Sequence, residues 1–98
     1  KFRYKEGIIM RTNKDFVKRN IGGENILVAV GDASQIFNGM ISLNTVASFI
    51  WDNVDECGDV DKLVKRVLET FEIDEDTART DVEGFTGEFM QVGMIIES

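Results

Sequence analysis

The sequence predicts an α+β fold, winged-helix-like in outline, in which a three-stranded antiparallel sheet is followed by three helices. Residues that favour strands fill the first half of the chain, with apolar side chains alternating at a period of two in places. In the second half, apolar residues recur at the spacing of an amphipathic helix. The period changes at Asn44, where a short apolar strand passes directly into a helix. Strands followed by a run of helices are typical of an α+β domain.

The first two predicted strands, Phe16–Ile21 and Asn25–Val30, form a hairpin. Both segments are rich in β-branched or aromatic residues. Gly22 and Gly23 lie between them, and glycine adopts the positive φ angles that the tightest hairpin turns require. The sequence therefore predicts an antiparallel pair joined by a glycine turn.

The third predicted strand lies within residues 36–43. Asn38-Gly39 is open to two interpretations, since this pair can form a tight turn or can begin the strand. We favour the second, because Ile36-Phe37 is too short to stand as a strand of its own. The strand then runs from Asn38 to Leu43.

Each of the three predicted helices begins after a side chain that can cap it. Asn44, Asp59 and Asp74 stand directly before the helical periodicity, and their side-chain oxygens can accept a free N–H of the first turn. The first helix continues to about Val54, and Gly58 is a natural stop after it.

Apolar stripes define the buried faces of the second and third helices. The stripe of the second helix is Val60, Leu63, Val64, Val67, Leu68 and Phe71. The stripe of the third helix is Ala78, Val82, Phe85, Phe89 and Val92. Gly84 and Gly87 lie off this stripe and each lowers helix propensity. Met94-Ile95-Ile96 predicts a short last strand.

Length and composition favour one compact domain over residues 1–98. A chain of 98 residues with 43% hydrophobic and 30% charged side chains fits a single modest core, which a homodimer would enlarge. The net charge of −7 is uneven, because the first twenty residues carry seven basic and two acidic side chains. Residues 1–13 are therefore a candidate basic N-terminal arm on an otherwise acidic surface.

The residue types that are missing exclude several kinds of chemistry. The chain has no histidine, which excludes Ser-His-Asp and Cys-His catalysis and histidine-ligated zinc from this chain alone. Its one cysteine, Cys57, cannot form an intramolecular disulfide, which suits the cytoplasm. No apolar run is long enough for a signal peptide or a membrane span. We expect no catalytic residue, metal, cofactor or membrane contact.

The third helix is too acidic to bind DNA. Between Asp74 and Val92 it carries six acidic residues and one basic residue, Arg79, so that phosphate groups would repel it. Its acidic start also fails as a calcium loop, because Ala78 and Arg79 stand where a ligand and a glycine are needed. We expect neither nucleic acid nor calcium as a ligand.

The third strand carries the positive functional signal. It is apolar, and it lacks the lysine and proline residues that discourage pairing at a sheet edge. An extended peptide can add to such an edge as a further strand. The alternative is an edge covered by the protein's own tail or by a second copy of the chain.

Four short motifs follow one another along the chain. They are Gly39-Met40-Ile41, Leu43-Asn44…Ala47…Ile50-Trp51, Asp74…Asp81-Val82…Phe85 and Gly93-Met94-Ile95. In this order and spacing they resemble the PqqD family, also known as RiPP recognition elements. The resemblance extends over roughly residues 14–97. Members of this family are small winged-helix-like domains that bind the leaders of ribosomally made precursor peptides.

The resemblance implies a non-catalytic peptide chaperone. The leader would add as a strand beside the third strand, with its side chains toward the third helix, and a modifying enzyme, commonly a radical SAM protein, would receive it. The residues implied are Asn38, Gly39, Met40, Ile41, Ser42 and Leu43 on the strand, and Asp81, Phe85, Glu88 and Phe89 on the helix. The acidic helix suits a leader that bears Lys or Arg. A structural or dimerisation domain, a transcription regulator and a small enzyme remain as alternatives.

Overall fold

The computed structural model describes residues 8–35 and 39–98. Within these residues the order of elements is β1 Met10–Thr12, β2 Phe16–Ile21, β3 Glu24–Ala29, β4 Met40–Leu43, α1 Thr45–Cys57, α2 Val60–Thr70, α3 Glu75–Gln91 and β5 Ile95–Glu97. A 3-10 turn at Gly31–Gln35 separates β3 from β4. The predicted α+β class is confirmed, with a three-stranded antiparallel sheet preceding three helices.

The larger sheet has the strand order β2-β3-β4, and both pairings are antiparallel. The predicted hairpin is confirmed. Gly22 and Gly23 have φ angles of +60° and +87°, and two consecutive positive values in a two-residue loop define a type I′ turn. A side chain at either position would strain this backbone, so the two glycines fix the register of β2 against β3.

The smaller sheet pairs β1 with β5. Of these two strands, the sequence predicted only β5. Met10–Thr12 lies opposite Ile95–Glu97 within the segment assigned to a basic arm. The side chains of Ile8, Met10 and Thr12 are buried there. Residues 8–12 are therefore part of the packed fold, while residues 1–7 lie outside the described residues.

The predicted N-caps of all three helices are confirmed. Their side-chain oxygens accept the backbone N–H three residues on, Asn44 from Ala47 at 2.8 Å, Asp59 from Lys62 at 2.8 Å and Asp74 from Thr77 at 2.7 Å. The hydrogen bond from the Thr77 N–H lowers the pKa of Asp74 from its ordinary value. Each helix thus starts where its own sequence directs it to start.

Gly58 ends α1 and brings β1 against that helix. Its φ is +81°, and its N–H donates to the Val54 carbonyl at 2.8 Å. Its own carbonyl accepts the Met10 N–H at 2.6 Å. A Cβ atom here would lie 3.3 Å from Cγ2 of Ile9. Both the positive φ and this close approach favour glycine.

The hydrophobic core lies between the three helices and the inner faces of the two sheets. Its largest fully buried hydrophobic side chains are Met10, Leu27, Ile50, Leu63, Met94 and Ile95. Trp51 is buried as predicted, with its ring 6.3 Å from that of Phe89. Two details of α3 were predicted wrongly. Val92 follows the end of the helix at Gln91 and is 63% exposed, and Gly87, predicted to lie off the stripe, is buried.

Candidate functional site

Strand β4 is an edge of the larger sheet. It pairs with β3 on one side, and no other strand in the described part of the chain pairs with its second side. Leu43 is buried and Ile41 is half-buried, whereas Ser42 is exposed and Met40 is 66% exposed. One face of β4 therefore contacts the helices, and the other face is open to solvent.

The glycine turn determines the direction of the backbone groups in β3. In a two-residue type I′ hairpin, the residues that flank the loop form a pair that exchanges both backbone hydrogen bonds. These residues are Ile21 and Glu24. Since the pattern alternates, Glu24, Ile26 and Val28 direct their N–H and C=O groups toward β2. The intervening residues of β3 direct theirs toward β4.

The same alternation identifies the free backbone groups of β4. Leu27, one of the intervening residues of β3, lies opposite Ile41, so Ile41 directs its N–H and C=O toward β3. Met40 and Ser42 flank Ile41 and direct theirs toward the open edge. Within residues 8–35 and 39–98, no other strand pairs with these outward backbone groups of Met40 and Ser42. They have the arrangement that a further strand requires.

A groove of about 250 Å³ lies between the start of α1 and α3, and it includes Asn44, the residue that directly follows β4. We call it the α1–α3 groove. It is lined by Asn44, Val46, Ala47 and Ile50 from the start of α1, and by Asp81 and Phe85 from α3. The groove therefore combines apolar side chains with one carboxylate, beside an edge strand.

The aromatic side of this groove is built on α3. Phe85 is half-buried, and its ring stacks on that of Phe89 with centroids 4.2 Å apart. Phe89 is buried and contacts Trp51 in turn. The core thus supports Phe85 from behind, while part of its ring remains available to a ligand.

Two carboxylates on this side of α3 have no partner among residues 8–35 and 39–98. Asp81 and Glu88 are exposed and make neither an ion pair nor a side-chain hydrogen bond there. Glu75 and Glu83, on the same helix, each lie 3.8 Å from the Arg79 guanidinium. The carboxylates near the groove therefore have no neutralising cation in the described part of the chain. The carboxylates near α2, in contrast, surround the Arg79 guanidinium.

The predicted site residues are brought together only in part. Asp81 and Phe85 line the groove, and Gly39 is exposed directly before β4. Glu88 lies on the same side of α3 as Asp81, but it does not line the groove, and Phe89 is buried. Asn38 lies outside the described residues.

Sequence reasoning missed the contribution of α1 to the groove. Val46, Ala47 and Ile50 supply apolar lining, and the cap residue Asn44 lies at one end. Since Asn44 directly follows Leu43, the sequence does place the start of α1 near the end of β4, but the direction in which the helix then runs depends on tertiary packing.

Other kinds of site find little support in the described residues. They contain no group of three or more acidic, cysteine or histidine side chains placed to hold a metal ion. Cys57 is buried, and burial raises the pKa of its thiol, which disfavours the reactive thiolate. None of the helices in residues 8–35 and 39–98 has both the length and the apolar character of a membrane span.

Comparison with known structures shows a shared fold. The chain is similar to a structure described as TbiB1 in complex with the TbiA(beta) leader peptide, with a TM-score of 0.67 and 18% identity over 87% of this chain and 93% of that chain. It is also similar to a lasso peptide synthetase B1 complexed with the leader peptide, with a TM-score of 0.70 and 14% identity over 89% of this chain and 96% of that chain.

Comparison with sequence families gives the assignment. No curated protein matches the sequence. Residues 12–95 match the family described as coenzyme PQQ synthesis protein D, PqqD. This match covers the whole of the larger sheet and all three helices, but only one residue each of β1 and β5. The chain therefore belongs to the PqqD family.

Proposed function

We propose that this chain is a non-catalytic domain that binds the leader of a ribosomally made precursor peptide by strand addition to β4. One observation carries the proposal. Met40 and Ser42 direct their backbone N–H and C=O groups outward at the open edge of β4, close to the α1–α3 groove. Main-chain pairing supplies affinity in this mode, and pockets for alternate side chains supply specificity. Family membership and the two similar leader-peptide complexes support the same function.

A modifying enzyme is the second partner in this proposal. The bound leader would hold the precursor near that enzyme, which we expect to be a radical SAM protein, in the cytoplasm. The domain over residues 1–98 would contribute recognition and no chemistry, in keeping with the absence of histidine and the burial of Cys57.

A homodimer formed through β4 is the competing use of the same edge. Antiparallel pairing of two β4 strands would bring two copies of Asp81 and Glu88 to one interface, and like charges at close range oppose association. A leader peptide that carries positive charge meets no such repulsion. The charge of the groove therefore favours a peptide over a second copy.

The test is a pair of proline substitutions at the two edges of the sheet. Ser42→Pro removes an outward N–H from β4 and places a ring where a peptide would pair. Asn20→Pro is the matched control, because Asn20 is also exposed and its N–H also faces outward, on β2. The probe is a synthetic peptide with the sequence of a candidate precursor leader, titrated by calorimetry.

We expect Ser42→Pro to weaken binding by roughly ten- to a hundredfold, since it removes a hydrogen bond and adds a steric clash. Asn20→Pro should change affinity by less than about twofold, because no ligand pairs with β2. Amide shifts on titration should map to β4 and α3. Equal losses in the two variants, or shifts confined to the β2–β3 hairpin, would show that the peptide binds elsewhere.

A further inference from the structure

A strand added to β4 would point alternate side chains toward the helices, if the proposed function is correct. Neighbouring strands keep their pleats in phase, so that residues opposite one another lie on the same face of a sheet. Ile41 and Leu43 face the helices, whereas Met40 and Ser42 face solvent. The peptide residues beside Ile41 and Leu43 would therefore face inward.

The inward position beside Leu43 meets the α1–α3 groove. Asn44 follows Leu43 directly and lies at the groove, together with side chains from the first two turns of α1. The groove measures about 250 Å³, which is below the usual range of about 300–1,000 Å³ for small-molecule sites. Its size and place suit a single side chain from an extended peptide.

The chemistry of the groove suits a long side chain with an apolar stem and a cationic head. Val46, Ala47, Ile50 and Phe85 offer apolar contacts to the stem. Asp81 is the carboxylate that lines the groove, and it has no cationic partner among the described residues. The exposed part of the Phe85 ring can also accept a cation over its face.

Charge elsewhere on α3 gives a useful contrast. The Arg79 guanidinium forms an ion pair with Asp61 at 3.0 Å and lies 3.8 Å from each of two glutamates of its own helix. The carboxylates around Arg79 are therefore neutralised within the chain, whereas a cation from outside would find Asp81 unoccupied. In a chain of net charge −7, a basic ligand is also attracted over a longer range.

We propose that the α1–α3 groove selects a lysine or arginine at the leader position beside Leu43. The aliphatic stem packs against Ala47 and Phe85, and the cationic head pairs with Asp81. This inference rests on the proposed function and adds the chemical class of the recognised residue. In this proposal Asp81 determines which peptide side chain is recognised, and does not merely add to the negative charge of the surface.

The test begins with a phage-displayed library of random decapeptides, selected separately on the wild-type protein and on variants. Asp81→Asn removes the carboxylate and keeps the shape of the side chain. Glu72→Gln is the matched control, because it also removes one exposed negative charge but lies in the connector between α2 and α3, away from the groove. Ser42→Pro identifies the peptides that bind by strand addition.

We expect the peptides whose binding is weakened by Ser42→Pro to share a basic residue at one position. Selection on Asp81→Asn should lose this preference, whereas selection on Glu72→Gln should keep it. For a synthetic winning peptide, replacing the basic residue by norleucine should weaken binding about tenfold on the wild-type protein and less than about twofold on Asp81→Asn.

Two further outcomes separate the inference from the proposed function. Peptides that depend on Ser42 but show no basic position, or one that Asp81→Asn leaves unchanged, would overturn the inference and leave strand addition intact. Selected peptides that bind Ser42→Pro as well as wild type would overturn the proposed function itself, and with it the inference.

Discussion

Two ends of the molecule differ in whether their polar groups are paired. We call the region formed by β1, β5 and the C-terminal part of α1 the closed end, and the region formed by β4 and the α1–α3 groove the open end. At the closed end, Asp55 accepts hydrogen bonds from the Thr12 N–H at 2.7 Å and from the Lys14 ammonium at 2.5 Å. At the open end, Asp81 has no such partner within residues 8–35 and 39–98. Paired polar groups stabilise the fold, and unpaired ones beside a free edge are available to a ligand.

Two methionines in the strands give the sharpest form of this comparison. Met10 is 1% exposed at the closed end, and Met40 is 66% exposed at the open end. Met10→Ala should lower the free energy of unfolding by about 2–5 kcal/mol, because it leaves a cavity in the core. Met40→Ala should change it by less than about 0.5 kcal/mol. Urea denaturation of both variants measures the difference.

Met10→Leu serves as the control, because it keeps the volume of the side chain and should cost less than about 1.5 kcal/mol. It also keeps the comparison testable should Met10→Ala fail to fold. Comparable losses for Met10→Ala and Met40→Ala would contradict the division into a closed and an open end.

Two half-buried phenylalanines on helices separate stability from binding. Phe85 stacks on Phe89 and lines the groove, while Phe49 contacts Phe71 edge-on at 5.2 Å and does not line the groove. Either change to alanine should lower the free energy of unfolding by about 1–2 kcal/mol, less than for a fully buried ring.

Only Phe85→Ala should also weaken leader binding, by about tenfold, which corresponds to about 1.4 kcal/mol. Titration of the leader into each folded variant measures this. A similar loss of affinity in Phe49→Ala would mean that helix stability, and not contact with the groove, determines binding.

The smallest expected effect concerns Asp55 and depends on pH. Burial alone raises the pKa of Asp55, but hydrogen bonds from Lys14 and Thr12 outweigh burial and hold the pKa below its ordinary value. A lowered pKa stabilises the fold above the unfolded-state pKa of about 3.9, and this contribution disappears as the pH falls through the folded-state pKa.

Asp55→Asn should therefore be less stable than the wild type at neutral pH, with a difference that shrinks below about pH 4. Urea denaturation between pH 3 and pH 7 measures this. Glu97→Gln is the control, because it removes an exposed carboxylate from β5 that makes no ion pair in the described residues. A difference that is constant with pH would show that Asp55 acts through packing alone.

Much of the fold could be predicted from local signals. The caps at Asn44, Asp59 and Asp74 and the turn at Gly22 and Gly23 act within a few residues of themselves, so sequence patterns indicate them correctly. Of the candidate site, the composition of the third strand already indicated an open sheet edge, whereas the choice of Asp81 and Phe85 followed from a resemblance to the PqqD family.

The sequence by itself determined the α+β order, the hairpin and the start of each helix, because those features depend on neighbouring residues. Tertiary structure alone decided that β1 pairs with β5, that α1 lines the groove and that Ser42 directs its N–H outward. These features join distant segments or depend on the register between strands. Pairing between distant segments is fixed by which surfaces pack together, and local periodicity does not encode that choice.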